Sequence, residues 1–545
     1  MKVQASLLCL AIASALAVAA APAEAATPLK SAVMARANTL ITQNAAKVHR
    51  ASGDAFVARD AVVGPNGVEH VRYDRTFNGL PVIGGDVVMH SRNGRLSGTS
   101  QTLSSAVRPA LRAKFSSDRA IVEAGARFGS KFFGAPSSRM VVYALGKSPV
   151  LAHEVTFNGI KADQTPTEMH YFVDATSGQV LNSWDSVHTA KPGPGGAGSA
   201  SCTPAVGTGK SLTEGNVTLD TSKCGTSYRL VDTTRGNGAV HNMAMMTTGM
   251  GTVFTGSTNI WGNNLLNNAQ TVAADAAYGV SVTWDYYKLV HGRNGIANNG
   301  AGAISRVHYG RNYQNAFWSD GCFCMTFGDG DNGASILPLV ALDIAGHEMS
   351  HGVTSRSAGL IYKGESGGLN EATSDIFGTM VEFYANNASD PADYVMGEAL
   401  FPNNAAMKTA IRWMFKPSLD KQSPDCYKST LGNLDVHYSS GVANHFFYLL
   451  AEGAKVPAGF GEGTWANLTP AQLVCNGNTS LAGIGRGDAQ KIWYLALTGY
   501  MTANTNYAGA RVATINAATD LFGATSAQTN AVKAAWDAVS VTAAP

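Results

Sequence analysis

Alternating apolar and polar residues dominate the first third of the chain and predict β-strands there. The stretches 71–98 and 153–184 both follow this pattern, and Gly-containing pairs interrupt them where a tight turn would reverse the chain. The predicted turns are Asn78-Gly79, Asn93-Gly94, Asn158-Gly159 and Ser177-Gly178. We therefore expect residues 26 to about 188 to form a strand-rich region, and we find no catalytic cluster in its sequence.

The pattern changes twice further along. "TAKPGPGGAGSAS" at 189–201 predicts a flexible connection, because it consists almost entirely of Pro, Gly, Ser and Ala. Residues 202–338 are rich in Gly and Asn and predict short strands. From Leu339 onward the apolar residues recur with a helical period, as in 367–387 and 439–454.

Composition narrows the class of protein. The chain has 545 residues, enough for several domains, and only 14% of them are charged, with a net charge of +2. No long basic or acidic run suggests nucleic acid or a membrane surface as a partner. The start, with Lys2, an apolar run at 7–21 and Ala23-Glu24-Ala25, predicts a secretory signal peptide. No other run of 18 apolar residues exists, so we expect a secreted product without a membrane anchor.

Six cysteines follow the signal peptide, namely Cys202, Cys224, Cys322, Cys324, Cys426 and Cys475. An even number in an exported protein predicts disulfides. Cys202 and Cys224 are the expected local pair. Cys322 and Cys324 would share one strand face, each with a distant partner, and a metal-binding pair is the alternative. The sequence leaves the full pairing open.

Two histidines stand four residues apart in "ALDIAGHEMSHGVTS", residues 341–355. On a helix, His347 and His351 share one face and their imidazoles converge, as two ligands of a tetrahedral zinc must. Glu348 lies one position round the helix, where it reaches a water beside the metal rather than the metal itself. Two unrelated surface histidines are the alternative.

A second acidic cluster begins 20 residues after His351. Glu371 would lie in the first turn of a helix that follows Gly367-Gly368, and it can complete a His-His-Glu site with an open fourth position. Asp375, four residues on, shares its face and can accept the remaining ring N–H of a bound histidine. The alternative is an acidic helix start favoured by the helix dipole.

These motifs resemble the thermolysin family of zinc metalloendopeptidases. The likeness rests on "HEMSH", "GGLNEATSDIFG", "NAFW" at 315–318, "GLIY" at 359–362 and "DVHYSSGVANHFFYLLA" from Asp435. The last motif is closer to the pseudolysin and vibriolysin branch. The resemblance covers the whole region after 188, and residues 26–188 look like the family's two-part propeptide.

The resemblance implies catalytic roles. Zinc would be held by His347, His351 and Glu371, and Glu348 would be the general base. His437 and Tyr362 would stabilise the oxyanion, with Asp435 orienting His437.

It also implies binding roles. Asn315 and Ala316 would bind the substrate backbone, and Arg412 a substrate carbonyl. The pocket for the residue after the cut, P1′, would contain Leu339, Ile344, Met396 and Ile411, which implies a preference for bulky apolar residues. Calcium would be bound by Asp343, Glu382, Asp393 and the backbone carbonyl of Val395.

We therefore expect an α+β, thermolysin-like fold with a β-rich N-terminal lobe, a mainly helical C-terminal lobe and the zinc helix between them. A strand-rich α+β propeptide precedes it. The expected parts are a signal peptide at 1–25, a propeptide at 26–188 divided near 110, an N-terminal lobe at 189–338 and a C-terminal lobe at 339–545.

The expected function is that of a secreted, zinc-dependent neutral endopeptidase that acts on proteins and peptides as a monomer. Its propeptide would serve as intramolecular chaperone and inhibitor, removed by a self-cut between His188 and Thr189 or elsewhere within 186–201. One rival is a zinc aminopeptidase, but we find no carboxylate motif for a free amine. Another is a non-catalytic zinc-stabilised binding protein, which Glu348 and the open ligand position disfavour.

Overall fold

The computed structural model describes residues 26–187 and 202–542. The predicted signal peptide and the predicted cut between His188 and Thr189 lie outside these residues. Within the described ranges, no helix is both long and apolar enough to cross a membrane.

The propeptide region is built on one mixed sheet with the strand order β10-β9-β8-β7-β3-β2-β4-β5. Its elements are α1 (Ala26–Gln43), β1 (Asp54–Val63), β2 (Val68–Phe77), β3 (Leu80–Ile83), β4 (Val87–Arg92), β5 (Arg95–Gln101), α2 (Ser117–Gly125), β6 (Lys131–Phe132), β7 (Ser137–Tyr143), β8 (Val150–Ile160), β9 (Pro166–Asp174) and β10 (Val180–Asp185). Parallel pairing of β3 with β7 joins the first half of the region to the second.

Three of the four predicted turns are confirmed. Asn78-Gly79 and Asn93-Gly94 each have positive φ at both residues, as a tight hairpin turn requires, and Gly178 has φ of 80° between β9 and β10. The turn at Asn158-Gly159 is wrong, because both residues lie inside β8. Glycine is needed there for packing instead, since a Cβ on Gly159 would come within 2.7 Å of the Lys131 carbonyl oxygen.

The N-terminal lobe has two sheets with the orders β17-β13-β12-β11-β18 and β14-β15-β19-β21-β20. Its elements are β11 (Thr203–Lys210), β12 (Asn216–Cys224), β13 (Ser227–Arg229), β14 (Val231–Asp232), β15 (Gly238–Asn242), β16 (Thr252–Val253), β17 (Thr255–Gly256), β18 (Ile260–Gly262), α3 (Ala269–His291), β19 (Ile304–Tyr309), β20 (Ala316–Ser319) and β21 (Cys324–Gly328). The prediction of short strands alone was incomplete, because α3 is a long, largely buried helix.

The C-terminal lobe is mainly helical. Its elements are α4 (Leu342–Ser355), α5 (Gly364–Ala385), β22 (Val395–Met396), β23 (Arg412–Trp413), α6 (Val436–Ser439), α7 (Gly441–Glu452), α8 (Arg486–Leu495), a π-helical turn (Ala496–Tyr500), α9 (Tyr507–Phe522) and α10 (Ala527–Ala538). One apolar core runs from the N-terminal lobe through α4 into this lobe, whereas the propeptide packs mainly in separate clusters.

Helices α4 and α5 cross closely because each carries a glycine at the crossing. A Cβ on Gly378 would lie 2.5 Å from the Asp343 carbonyl oxygen, and a Cβ on Gly346 would lie 3.0 Å from Gly378 Cα. Helix α5 begins at Gly364, so Glu371 lies in its interior and not in its first turn as predicted. This crossing brings the side chains of α5 against the histidines of α4.

The six cysteines form three disulfides: Cys202–Cys224, Cys322–Cys324 and Cys426–Cys475. The first is the expected local pair. The expectation of distant partners for Cys322 and Cys324 is wrong, because these two residues are bonded to each other where the turn after β20 enters β21. Their thiolates are therefore not available to a metal.

Candidate metal centre and cleft

Three side chains from two helices converge at the crossing of α4 and α5. His347 Nε2 and His351 Nε2 lie 3.0 Å apart. Glu371 from α5 faces both rings, with its oxygens 3.6 Å from His347 Nε2 and 3.4 Å from His351 Nε2. All three residues are buried. Atoms bound 2.0–2.1 Å from a tetrahedral zinc are about 3.4 Å apart, so the three spacings fit one such ion.

The opposite ring nitrogens fix which way each imidazole faces. His347 Nδ1 lies 2.9 Å from an Asp375 carboxylate oxygen, and His351 Nδ1 lies 2.8 Å from the Asn370 amide oxygen. Both acceptors require the proton to be on Nδ1, so both Nε2 atoms turn lone pairs toward the same point. Glu371 Oε2 is buried there and has no hydrogen-bond partner among the described residues. This donor set suits a cation.

Asp375 connects the metal centre to Arg412. Arg412 donates from Nε and Nη2 to the two Asp375 oxygens over 2.7 and 2.6 Å, and Asn444 Nδ2 donates over 2.7 Å. Burial raises the pKa of Asp375, but the charges of Arg412 and His347 outweigh it and lower that pKa to about 2. The carboxylate therefore stays ionised and holds the His347 ring.

The metal centre forms the floor of a cleft of about 760 Å³. Glu348 lines this cleft beside the ligands and is buried, and its burial raises its pKa despite the two facing imidazoles. Its position one residue from His347 turns it toward the open side of the centre. A carboxylate of raised basicity at this place can take a proton from a water molecule.

Tyr362 and His437 stand together at the edge of the centre. The Tyr362 hydroxyl donates to Glu371 and lies 3.2 Å from His437 Nε2. Asp435 lies 2.7 Å from His437 Nδ1, so the Nε2 side of that ring faces the cleft. Burial lowers the pKa of His437, but the charge of Glu371 and the hydrogen bond to Asp435 outweigh it and raise that pKa. An Nε2–H that faces the cleft can donate to an oxyanion.

Most of the predicted substrate contacts line the cleft. The lining residues include Asn315, Ala316, Leu339, Ile344, Ile411 and Arg412. Met396 does not fit the predicted pocket: it is fully buried behind the wall, and its sulfur accepts the Thr379 hydroxyl at 3.2 Å. Among the described residues, its side chain is not part of the cleft surface.

A separate group of carboxylates lies where α5 ends. Glu382, Asp390 and Glu398 each place an oxygen within 4.8 Å of the others. Glu382 Oε1 and Glu398 Oε2 are buried without a hydrogen-bond partner in the part of the chain that the structure describes. Burial and then the charges of Glu398 and Asp343 raise the pKa of Glu382. Such mutual repulsion is relieved by a hard cation.

The predicted calcium ligands are only partly in this group. Glu382 belongs to it, whereas Asp343 accepts two backbone N–H bonds, from Ile344 at 2.7 Å and Gly397 at 2.6 Å. Asp393 accepts the Val395 N–H on Oδ1 at 2.6 Å, and its Oδ2 is buried without a hydrogen-bond partner among the described residues, so it stays a predicted ligand. Sequence reasoning missed Asp390 and Glu398, and it also missed Asn370 and Asn444 at the metal centre. Of these four residues, Asn370 had the clearest sequence signal, because it is adjacent to Glu371 in the motif.

The propeptide enters the cleft. Lys161, Asp163, Asp185 and Val187 all contribute to its lining. Val187 packs against an aromatic cluster of the N-terminal lobe, formed by Met243, Tyr309, Tyr313 and Phe317. The described part of the propeptide thus ends beside the metal centre.

Comparisons with known proteins match both lobes and part of the propeptide region. The family model "Thermolysin metallopeptidase, catalytic domain" matches residues 206–355, and "Thermolysin metallopeptidase, alpha-helical domain" matches 358–541. "Fungalysin/Thermolysin Propeptide Motif" matches residues 54–102.

Individual relatives cover most of the chain. A transglutaminase-activating metalloprotease from Streptomyces mobaraensis is 44% identical over 93% of this chain, which spans 63% of that protein's length. Thermolysin from Alicyclobacillus acidocaldarius is 35% identical over 86% of this chain and 83% of its own. Among solved structures, the protealysin precursor from Serratia proteamaculans is 28% identical, covering 56% of this chain and 87% of its own with a TM-score of 0.43.

Proposed function

Because the chain belongs to the thermolysin family of metallopeptidases, we propose that His347, His351 and Glu371 hold a catalytic zinc ion. The protein is a metalloendopeptidase of this family, made as a precursor with the family's propeptide motif. The convergence of two Nε2 atoms and one buried carboxylate, each committed by its surroundings to face the same point, is the observation that carries the assignment. A closer relation to pseudolysin and vibriolysin stays a prediction.

The roles of the surrounding residues follow from their positions. When bound, zinc supplies Lewis acidity, which polarises a carbonyl and makes water easier to deprotonate. Glu348 takes the proton of the attacking water on a carboxylate oxygen and passes it to the leaving amine. His437 Nε2 and the Tyr362 hydroxyl donate to the oxygen on which negative charge develops.

Asp375, Asn370 and Asp435 act as positioning residues. The first two hold the Nδ1 protons of the zinc-binding histidines, which keeps each Nε2 lone pair directed at the metal. Asp435 does the same for His437. Arg412 is engaged by Asp375 at the cleft surface, so any substrate carbonyl that it binds must share this guanidinium.

The substrates are proteins and peptides that extend along the cleft. Asn315 and Ala316 offer backbone contacts on its lining, and Leu339, Ile344 and Ile411 supply an apolar wall for a bulky P1′ side chain. Secretion is supported by three disulfides, which persist in oxidising compartments. We also propose that the enzyme acts as a monomer.

A calcium ion bound by Glu382, Asp390 and Glu398 belongs to the same proposal. Oxygen atoms are the ligands that Ca²⁺ prefers, and one divalent charge relieves the repulsion among these buried groups. Asp343 and Asp393 add charge at the border, and the Val395 carbonyl remains a candidate ligand.

Self-processing is supported by the position of the propeptide end in the cleft. In a host lacking other proteases, Glu348→Ala should fold with its propeptide still attached, whereas the wild type should be trimmed within residues 186–201. Trimming of Glu348→Ala to the wild-type mass would rule out self-cleavage. The same propeptide occupies the cleft in the precursor and therefore inhibits it.

One pair of variants tests the metal assignment. Casein hydrolysis should stop when a chelator removes zinc and return when about one equivalent is added. His351→Ala should lose bound zinc, because His351 is a ligand. Glu348→Gln should keep zinc and lose nearly all turnover, because Glu348 is the base and not a ligand. Equal zinc content in both variants with activity retained would refute the assignment.

A further inference from the structure

Arg306 on β19 is a buried cation without an acidic partner. The residue is 3% exposed, and its guanidinium donates only to neutral oxygens. Nε and Nη2 bond to Thr326 Oγ1 over 2.9 and 2.6 Å, and Nη1 bonds to the Gly249 carbonyl over 3.0 Å. No carboxylate oxygen lies within 4 Å of it in the described residues. Burial lowers the pKa of Arg306 to about 10, which leaves it charged at neutral pH.

A guanidinium has five N–H donors, and the three bonds above leave two of them for a further acceptor. A buried charge without a counter-charge is costly, so the site favours an anion. Beside Arg306 lies a cavity of about 420 Å³. The mature lobe contributes Thr247–Met250, Arg306 and Tyr309 to its wall, and the propeptide contributes residues at 133–135, 158–159 and 166–167. The cavity is closed only while the propeptide is docked.

The cavity adjoins the part of the cleft that lies upstream of the cut. Arg306 and Thr326 are neighbours across β19 and β21, and Thr326 and Phe317 are neighbours across β21 and β20. The three side chains therefore share one sheet face. The guanidinium is 5.8 Å from the Phe317 ring centroid and 6.0 Å from that of Tyr309.

The propeptide indicates which substrate residue would come near Arg306. Val187, just before the predicted cut, occupies the aromatic cluster that contains Phe317 and Tyr309. Asp185, two residues earlier, accepts the hydroxyl of Thr167 at 2.8 Å, and Thr167 lines the Arg306 cavity. Asp185 is neutralised by Lys161 at 2.9 Å, so the precursor leaves Arg306 without an acid.

We propose that, in the mature enzyme, Arg306 binds an acidic side chain of the substrate three or four residues upstream of the scissile bond. This inference rests on the proposed endopeptidase function and adds a specificity determinant to it. Departure of the propeptide opens the cavity wall, and the two remaining N–H donors of the guanidinium then face the incoming carboxylate. Hydrogen bonds between charged groups are about twice as strong as neutral ones, so Glu should be preferred over Gln.

The test uses matched fluorogenic peptides with one apolar P1′ residue and either Glu or Gln at P3, and a second pair that differs at P4. For the wild type we expect kcat/KM to be about tenfold higher for Glu than for Gln in one pair, and less so at high salt. Arg306→Gln should bring the ratio to about 1, and Arg306→Lys should restore part of it. The control Lys223→Gln removes an exposed cation of the same lobe and should leave the ratio unchanged.

A purely structural role for Arg306 would lower kcat/KM equally for Glu and Gln peptides, so an unchanged ratio in Arg306→Gln overturns the proposal. Equal cleavage of Glu and Gln peptides by the wild type also overturns it, even if Arg306→Gln fails to fold. Cleavage of the Gln peptides without a preference for Glu refutes this subsite alone. Failure to cleave any peptide would refute the proposed function and the subsite with it.

Discussion

Asp375→Asn should weaken both zinc binding and folding, because one buried carboxylate accepts hydrogen bonds from three side chains. His347 Nδ1, the Arg412 fork and Asn444 Nδ2 all face its two oxygens within 2.9 Å. An asparagine keeps one of those oxygens and replaces the other with an NH₂ group. Whichever way the amide is turned, a donor then faces a donor, and Arg412 loses its counter-charge.

The magnitude follows from the burial of this ion pair. Asp375 is fully buried and the Arg412 side chain is 11% exposed, so solvent screens the pair little. Breaking such a pair by removing one partner costs about 3–5 kcal/mol, against a total stability of about 5–15 kcal/mol for a typical domain. Loss of the acceptor that orients a metal-binding histidine lowers metal affinity by about 10–100-fold.

Both effects can be measured in a Glu348→Gln background, which prevents self-digestion. Urea unfolding gives the stability, and competition with a chromogenic chelator gives the zinc dissociation constant. Asp329→Asn is the matched control, since Asp329 bonds to His308 Nδ1 at 2.8 Å in the N-terminal lobe, and it should leave zinc affinity unchanged. If Asp375→Asn binds zinc within threefold of its parent and unfolds at the same urea concentration, the positioning role of Asp375 is refuted.

Three further predictions concern other sites. His437→Ala should lower kcat about 100-fold or more with KM little changed, and wild-type kinetics would remove His437 from the mechanism. Without calcium, Glu398→Gln should raise the melting temperature, because one repelling carboxylate is gone, whereas with calcium it should lower it; no calcium effect in either protein would refute the site. In the propeptide, burial lowers the pKa of His170, but hydrogen bonds to Glu154 and Glu168 outweigh it and raise that pKa to about 9. Its stabilisation is therefore full below about pH 6.5 and lost as pH rises through about 9, and His170→Gln should abolish this dependence of the urea midpoint.

The grouping of His347, His351 and Glu371 could be predicted because these residues are close in sequence and lie on regular helices. A spacing of four residues places His347 and His351 on one face whatever surrounds the helix. The predicted start of α5, after Gly368, is five residues late, but the separation of Glu371 and Asp375 by one helical turn does not depend on that boundary. Helical spacing therefore predicts which side chains share a face more accurately than it predicts where the helices begin.

Helix α3 shows where local pattern fails. It contains Gly279 in its middle and is buried on several sides, so neither helix propensity nor a clean apolar stripe marks it. Glycine is required by packing, since a Cβ there would come within 2.6 Å of Ala345 Cβ on the zinc helix. The same tertiary requirement made Gly159 resemble a turn residue. A glycine selected for close approach cannot be told from one selected for a turn by sequence alone.

The sequence did not predict the acidic group at the end of α5, for a different reason. Asp390 and Glu398 lie outside α5 in irregular or short segments. Such segments have no helical or strand periodicity that would indicate which side chains point inward. Asp343 lies on a helix near the metal centre and accepts one backbone N–H bond on each of its two oxygens, which leaves a lone pair on each, so its role as a calcium ligand stays a prediction. The loop conformation decides which acids come together, and the sequence does not reveal it.

Cleavage and activation are separable in this architecture. The propeptide is held on both lobes by contacts that a cut within 186–201 leaves intact. Arg72 donates to the Met501 carbonyl over 2.7 Å, and Gln164 pairs with the backbone of Arg311 over 2.8 and 2.9 Å. Lys363, beside Tyr362, donates to Asn182 over 2.6 Å. If the chain is cut after Val187 within the proposed segment, we expect the propeptide to stay in the cleft and activity to appear only when these contacts dissociate or the propeptide is digested.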